Sequence, residues 1–231
     1  MKKLILFAFC ALMSVCAFAQ SKPSWEVQAG LNISKINSSL YSSKAGFHVG
    51  VRGQMDLPSL FDGAYANAGA FLSLKGASID FGDLADGKSN AYYLEVPVHF
   101  GYKHTVNDKF ALFGEFGPYF ACGLFGKTSS NALDYDDNFD LVSESEKHDT
   151  FDEFKRFDFG LGFRLGVEFC QKFTFSIGYD FGLVNVWNNN WGESDIDVDD
   201  YDEVYLVDDV KNRNLTITLG YKPEFGIRKS L

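Results

Sequence analysis

Cysteine, proline, positive charge and long apolar runs are all scarce in this 231-residue chain, and each scarcity excludes something. There are four cysteines, too few for a disulfide scaffold, and no Cys/His spacing suits a zinc site. No serine stands in a Gly-x-Ser-x-Gly setting and no glycine-rich loop leads into a helix, so the usual hydrolase and nucleotide-binding signatures are missing. Lys and Arg number 21 against 31 acids, a net charge of −10, which makes a poor partner for nucleic acid. After the first twenty residues, no run is apolar for the ~20 residues that a membrane-spanning helix needs.

The first residues have their own pattern. Lys2 and Lys3 precede an apolar stretch beginning at Leu4, and Ala17-Phe18-Ala19 places small residues at −3 and −1 of a cut before Gln20. That is the form of a secretory signal peptide, so residues 1–19 are expected to be removed and residues 20–231 to form one domain. The cut takes Cys10 and Cys16 with it and leaves Cys122 and Cys170, which read as small apolar wall residues better than as a bridge.

What the chain has in excess is aromatic residues and glycine together, with 24 Phe, 11 Tyr and 22 Gly. They are ordered with period two. From Phe157 to Phe169 every odd position is large and apolar and every even one is Gly or charged; Phe173 to Leu183 repeats this after a turn at 171–172. The same alternation runs through residues 25–36, Phe47 to Asp56, 64–79, Tyr92 to Tyr102, Phe110 to Phe125 (less cleanly) and Leu215 to Lys222.

Eight strands result, many of them ten residues or longer, which suits a tilted crossing of a bilayer. Their connections sort by side. Residues 37–44, 80–90, 128–156 and 187–212 lie at one end, and 57–63, 107–109 and 171–172 at the other. Short turns on one side and long loops on the other are the asymmetry of an outer-membrane barrel. The expected fold is therefore all-β, an eight-stranded antiparallel up-and-down transmembrane β-barrel, with Tyr92, Tyr102, Tyr179 and Trp187 suited to its aromatic girdles.

On this pattern Glu26, Arg52, Lys75, Glu95, His99, Glu115, Arg164, Glu168, Asp180 and Lys222 face the lumen. An eight-stranded interior is just wide enough to be filled by side chains, so Arg52, Glu95, His99, Glu115, Arg164 and Glu168 are expected to form an ionic network that plugs the barrel. An enzyme built on Glu95, His99 and Glu115, or a narrow transport pore, is the alternative.

The loops 128–156 and 187–212 carry nine acids each. Asp195, Asp197 and Asp199 are weak candidates for a divalent cation, because the sixth and twelfth positions of a calcium loop are Asp200 and Leu206 here. Apolar residues such as Ile196, Val198 and Val204 interleave with the acids and offer a surface for a protein partner. The other expected partners are outer-membrane lipid and lipopolysaccharide; neither a cofactor nor catalysis is expected.

Several motifs add a resemblance. Gly30-Leu31-Asn32-Ile33-Ser34-Lys35, Gly46-Phe47-His48-Val49-Gly50, Tyr93-Leu94-Glu95-Val96-Pro97-Val98, Gly114-Glu115-Phe116-Gly117-Pro118-Tyr119 and Tyr179-Asp180-Phe181-Gly182-Leu183-Val184 occur in this order. In that order they resemble the PorT-like outer-membrane β-barrel proteins of Bacteroidota, over essentially the whole mature chain. The resemblance implies an outer-membrane location, an eight-stranded barrel and no enzyme. Some members are linked to a secretion system, so an accessory role of that kind is a further alternative. One departure is the C-terminus, which continues past Tyr221 through Phe225 to Leu231 instead of ending on an aromatic residue.

Overall fold

A computed structural model describes residues 23–37, 42–80, 85–135, 141–188 and 210–223. The signal segment 1–19, the candidate cation ligands Asp195, Asp197 and Asp199, and the tail from Phe225 to Leu231 lie outside the described residues.

Alternation of large apolar residues with glycine and polar ones fits an extended backbone whose two faces meet different surroundings. Among the described residues nine strands form: β1 (Ser24–Ile36), β2 (Lys44–Asp56), β3 (Ala64–Asp80), β4 (Ala85–Asn107), β5 (Phe110–Tyr135), β6 (Leu141–Asp149), β7 (Phe157–Phe169), β8 (Phe173–Gly182) and β9 (Asn212–Tyr221). Each of β1 to β5 pairs antiparallel with the next, β5 then pairs with β7, β7 with β8 and β8 with β9. The ring closes where β9 meets β1, from Val27 opposite Tyr221 to Ile36 opposite Asn212. The wall is thus a closed eight-stranded antiparallel barrel, and every wall strand has a neighbour on both sides, as hydrocarbon surroundings require.

The ninth strand lies outside the ring. β6 pairs only with the distal part of β5, from Lys127 opposite Asp149 to Tyr135 opposite Leu141. Residues 128–156, expected as a loop, thus contain the end of β5, all of β6 and a single helical turn, α1 (Thr150–Glu153). Likewise β3 continues to Asp80 and β4 begins at Ala85, so most of the connection expected at 80–90 is paired strand. The sequence conceals these extensions because a hairpin standing in water needs no greasy face. β4 and β5, 23 and 26 residues long, run far past the ~9–11 residues a tilted crossing needs.

Side chains sort as the periodicity requires. Leu31, Phe100, Phe116, Leu165 and Leu219 are exposed on the outside, whereas Glu26, Arg52, Glu95, His99 and Glu115 are buried inside. A bulge breaks the alternation in β5: Tyr92 pairs with Phe125 and Tyr93 with Gly123, leaving Leu124 as the extra residue. Leu124 and Phe125 therefore both face outward, and Phe125 stacks on Tyr92 at 4.6 Å between ring centres.

The opposite ends of the barrel differ. At one end the β7–β8 turn occupies 170–172, one residue more than expected, with Cys170 and Gln171 at positive φ. Cys122 and Cys170 are exposed and unbridged. At the other end, α1 and the segments after β8 and before β9 fold over the mouth. Phe151 packs with Ala91, Tyr93, Tyr119 and Ala121, and Phe154 with Ile36, Ala77, Val186 and Val210. Gly123 makes room for this cap, because a Cβ there would lie 2.2 Å from the Phe151 ring. Trp187 belongs to this cap and not to a girdle: it meets Phe154 edge-on at 5.6 Å, since the chain has left the wall after Gly182.

Candidate functional site

Among the described residues, the lumen is where the fold gathers ionisable groups away from water. At its narrowest description it has two charged layers. The first is centred on Arg52, whose cross-strand partner is Glu26. Arg52 donates from Nη2 and Nε to Glu26 Oε2 at 2.6 and 3.2 Å, and from Nη1 to both oxygens of Glu115 at 2.6 and 2.9 Å. Glu115 comes from β5, so this pair spans the interior from β2 instead of following the wall. Tyr65 donates its hydroxyl to Glu115 at 2.9 Å, and Thr174 donates to Glu26. Such bidentate geometry is what two buried carboxylates need to offset the loss of water.

His99 adjoins this layer, with Nδ1 3.6 Å from Glu115 Oε2. Nearer the turns, Glu168 holds Lys103 at 2.9 Å and Lys222 at 2.5 Å, and Lys222 also reaches Gln54 at 3.4 Å.

The second layer lies toward the capped mouth. Lys75 pairs with Glu95 at 2.6 Å and sits 4.8 Å from the centre of the Tyr119 ring, a cation–π arrangement. Tyr119 and Asn212 both donate to Asp158 Oδ2, at 3.2 and 2.9 Å, and Asn214 donates to Asp180 at 3.2 Å. His48 is fixed between Asn32 at 2.7 Å and Thr218 at 3.0 Å.

Between the layers, Gly162 leaves a small space. A Cβ at that position would stand 2.8 Å from Asp180 Oδ1 and 3.0 Å from His99 Nε2, and both of those buried atoms lack a partner.

Of the six residues singled out from the sequence, Arg52 and Glu115 share one ion pair and His99 borders it. Glu95 and Glu168 are inside but bind lysines, not members of the six. Arg164 is buried, faces the lumen opposite Glu115 in the ladder, and its Nε has no hydrogen-bond partner. The proposed trio Glu95, His99 and Glu115 is split, because Glu95 belongs to the upper pair and Glu115 to the lower one. Among the described residues, no three His, Cys, Asp or Glu side chains are placed to hold a metal ion.

Sequence reading passed over Tyr65 and Lys103. Tyr65 is large and aromatic, so it resembles an outward residue, and Lys103 follows the last clear alternation, at Tyr102. The parity of β4 was the available signal for Lys103, since odd positions 93–101 already face inward.

A closed barrel with an apolar exterior and a charged interior defines an outer-membrane β-barrel protein. The family model for the outer membrane protein beta-barrel domain matches residues 18–188, and this chain belongs to that family. Solved structures of similar shape include the attachment invasion locus protein Ail of Yersinia pestis, at 15% identity and a TM-score of 0.39 over 88% of this chain and 100% of Ail. Neisserial surface protein A has 14% identity and a TM-score of 0.44 over 88% of this chain and 100% of its own. OprG of Pseudomonas aeruginosa has 13% identity and a TM-score of 0.39 over 89% of this chain and 98% of its own. No curated protein matches the chain.

Proposed function

We propose that this protein is a non-enzymatic barrel of the PorT-like kind found in Bacteroidota, exported by cleavage after Ala19, with residues 20–231 as the mature domain. Its lumen serves as a structural plug and its outward loops as the working surface. The observation that carries this reading is Arg52, held between Glu26 and Glu115 across the interior. A guanidinium tied to two carboxylates by four contacts is already committed, which suits a strut better than an acid, a base or an ion path.

The outward end supports the second half of the reading. The paired extensions of β3, β4, β5 and β6 raise an ordered sheet beyond the wall, and the loops joined to it carry the acids noted above. Such a platform fits a protein partner, while the wall itself contacts outer-membrane lipid and lipopolysaccharide.

Planar-bilayer recording of the refolded protein tests the plug. The wild type is expected to give a flat baseline at moderate voltage, with Arg52→Ala increasing current or lowering stability. Regular ion-selective steps from the wild type would instead favour a transport pore and defeat this reading.

A further inference from the structure

Two arginines face one glutamate in the middle of the lumen. In the ladder between β5 and β7, Glu115 stands directly opposite Arg164, as Glu26 stands opposite Arg52 in the ladder between β1 and β2. Side chains opposite each other on one face start ~5 Å apart, so each carboxylate has a guanidinium within reach on the neighbouring strand. Only one of these two neighbours is used. Arg52 holds Glu26 and also crosses to Glu115, while Arg164 is in no hydrogen bond or ion pair among the described residues.

A buried guanidinium without a carboxylate is costly, so its position needs a cause. Gly178 faces Arg164 from β8, and a Cβ there would stand 2.7 Å from Arg164 Cγ; the stem therefore leans over bare backbone, away from β5. On β8 also lies Asp180, buried, with Oδ1 unpartnered, and Arg164 is the cation that acts on it most strongly. Arg164 thus stands between two carboxylates, Asp180 toward β8 and Glu115 toward β5.

The Arg52–Glu115 pair also crosses farther than the other lumen pairs of the described residues. β2 and β5 are three places apart in the ring. The lysines bound to Glu168 come from β4 and from the residue after β9, each two places away, and Lys75 and Glu95 are on adjacent strands. Releasing Glu115 from Arg52 removes the widest tie.

We infer that Glu115 exchanges between Arg52 and Arg164 and that this exchange gates the lumen. Paired with Arg52, it closes the interior. Paired with Arg164, it lies along the β5–β7 wall, Arg52 lies along the β1–β2 wall with Glu26, and the middle of the lumen clears. Both states keep Glu26 and Glu115 on an arginine, so they differ little in ion pairing; Asp180, which loses Arg164 in the open state, tips the balance toward closure. The inference rests on the plug proposed above and adds that the plug releases.

The test is planar-bilayer recording of the full mature protein, with the cap over the mouth common to every variant. The wild type should stay closed at moderate voltage and open briefly as the voltage is raised. Asp180→Asn keeps the shape but removes the charge that retains Arg164, and it should open several-fold more often. Arg164→Met takes away the second partner and should abolish the openings while keeping the compact unboiled band. Should that variant fail to fold, Arg164→Lys, which keeps the charge but loses the two-armed grip, should open less often than the wild type.

Openings unchanged by Asp180→Asn, or persisting undiminished in the Arg164 variants, would overturn the inference. So would silence from both the wild type and Asp180→Asn at every voltage, since the strut would then be fixed and the plug reading would stand. Regular steps from the wild type at moderate voltage would instead defeat the plug reading itself, a distinguishable failure.

Discussion

Replacing Arg52 with methionine should be the most damaging single change in the lumen. The substitution keeps an unbranched chain of similar reach but leaves Glu26 and Glu115 facing each other without their cation, both buried. Removing one partner from a buried ion pair costs about 3–5 kcal/mol, and two carboxylates are stranded here, so the upper part of that range applies. Urea titration in lipid vesicles, followed by tryptophan fluorescence, is the assay; Trp25, exposed on the wall, reports insertion. Arg52→Lys should cost less, because it keeps the charge and loses only the two-armed geometry. Replacing the whole set, as in Glu26→Leu/Arg52→Met/Glu115→Leu with Tyr65→Phe and Thr174→Val, should recover much of the loss, since neither a charge of this trio nor a hydroxyl that bonded its carboxylates is left stranded. A loss below ~1 kcal/mol for Arg52→Met would refute the reasoning, because it would mean that water reaches both carboxylates freely.

Other consequences can be checked more simply. Leu219→Arg places a charge on an exposed exterior position and should cost ~2–4 kcal/mol if that position lies near the bilayer midplane, read from the same urea titration. Gly123→Ala puts a methyl group against the Phe151 ring and should dislodge α1 from the mouth, so that trypsin cleaves faster at Lys155 and Arg156 while the barrel band is kept. In vesicles, a water-soluble maleimide should label Cys170, in its turn, and spare Cys122, on the lipid-facing wall. Gly162→Ala should lower stability modestly, because its Cβ meets Asp180 and His99 at 2.8 and 3.0 Å; an unchanged midpoint would show that these two side chains swing aside.

The wall was legible in the sequence because lipid imposes one rule on every strand. Leu31, Phe116, Leu165 and Leu219 all had to be apolar, so parity alone assigned their face, and the same parity placed Arg52, Glu95, His99, Glu115, Arg164 and Glu168 inside. The rule lapses wherever the chain leaves the lipid. β6 and the distal parts of β4 and β5 are paired extensions that need no greasy face, and the cap formed by Phe151, Phe154 and Trp187 follows from packing between segments far apart in the chain, so no period records either. Trp187 shows the error this causes: an aromatic near a strand end suits a girdle, yet this one closes the mouth.

The sequence by itself determined where the lipid-facing parts of the wall strands lie, which face each residue there presents and how many strands the wall contains, because burial in two unlike media repeats every second residue. Only the tertiary structure decided which charges meet. Closure and strand tilt bring Glu115 of β5 to Arg52 of β2, give Glu95 to Lys75 and Glu168 to Lys103 and Lys222, and leave Arg164 outside those pairs. Parity sends a side chain into the lumen, but the register of strands not adjacent in the ring fixes what it touches there.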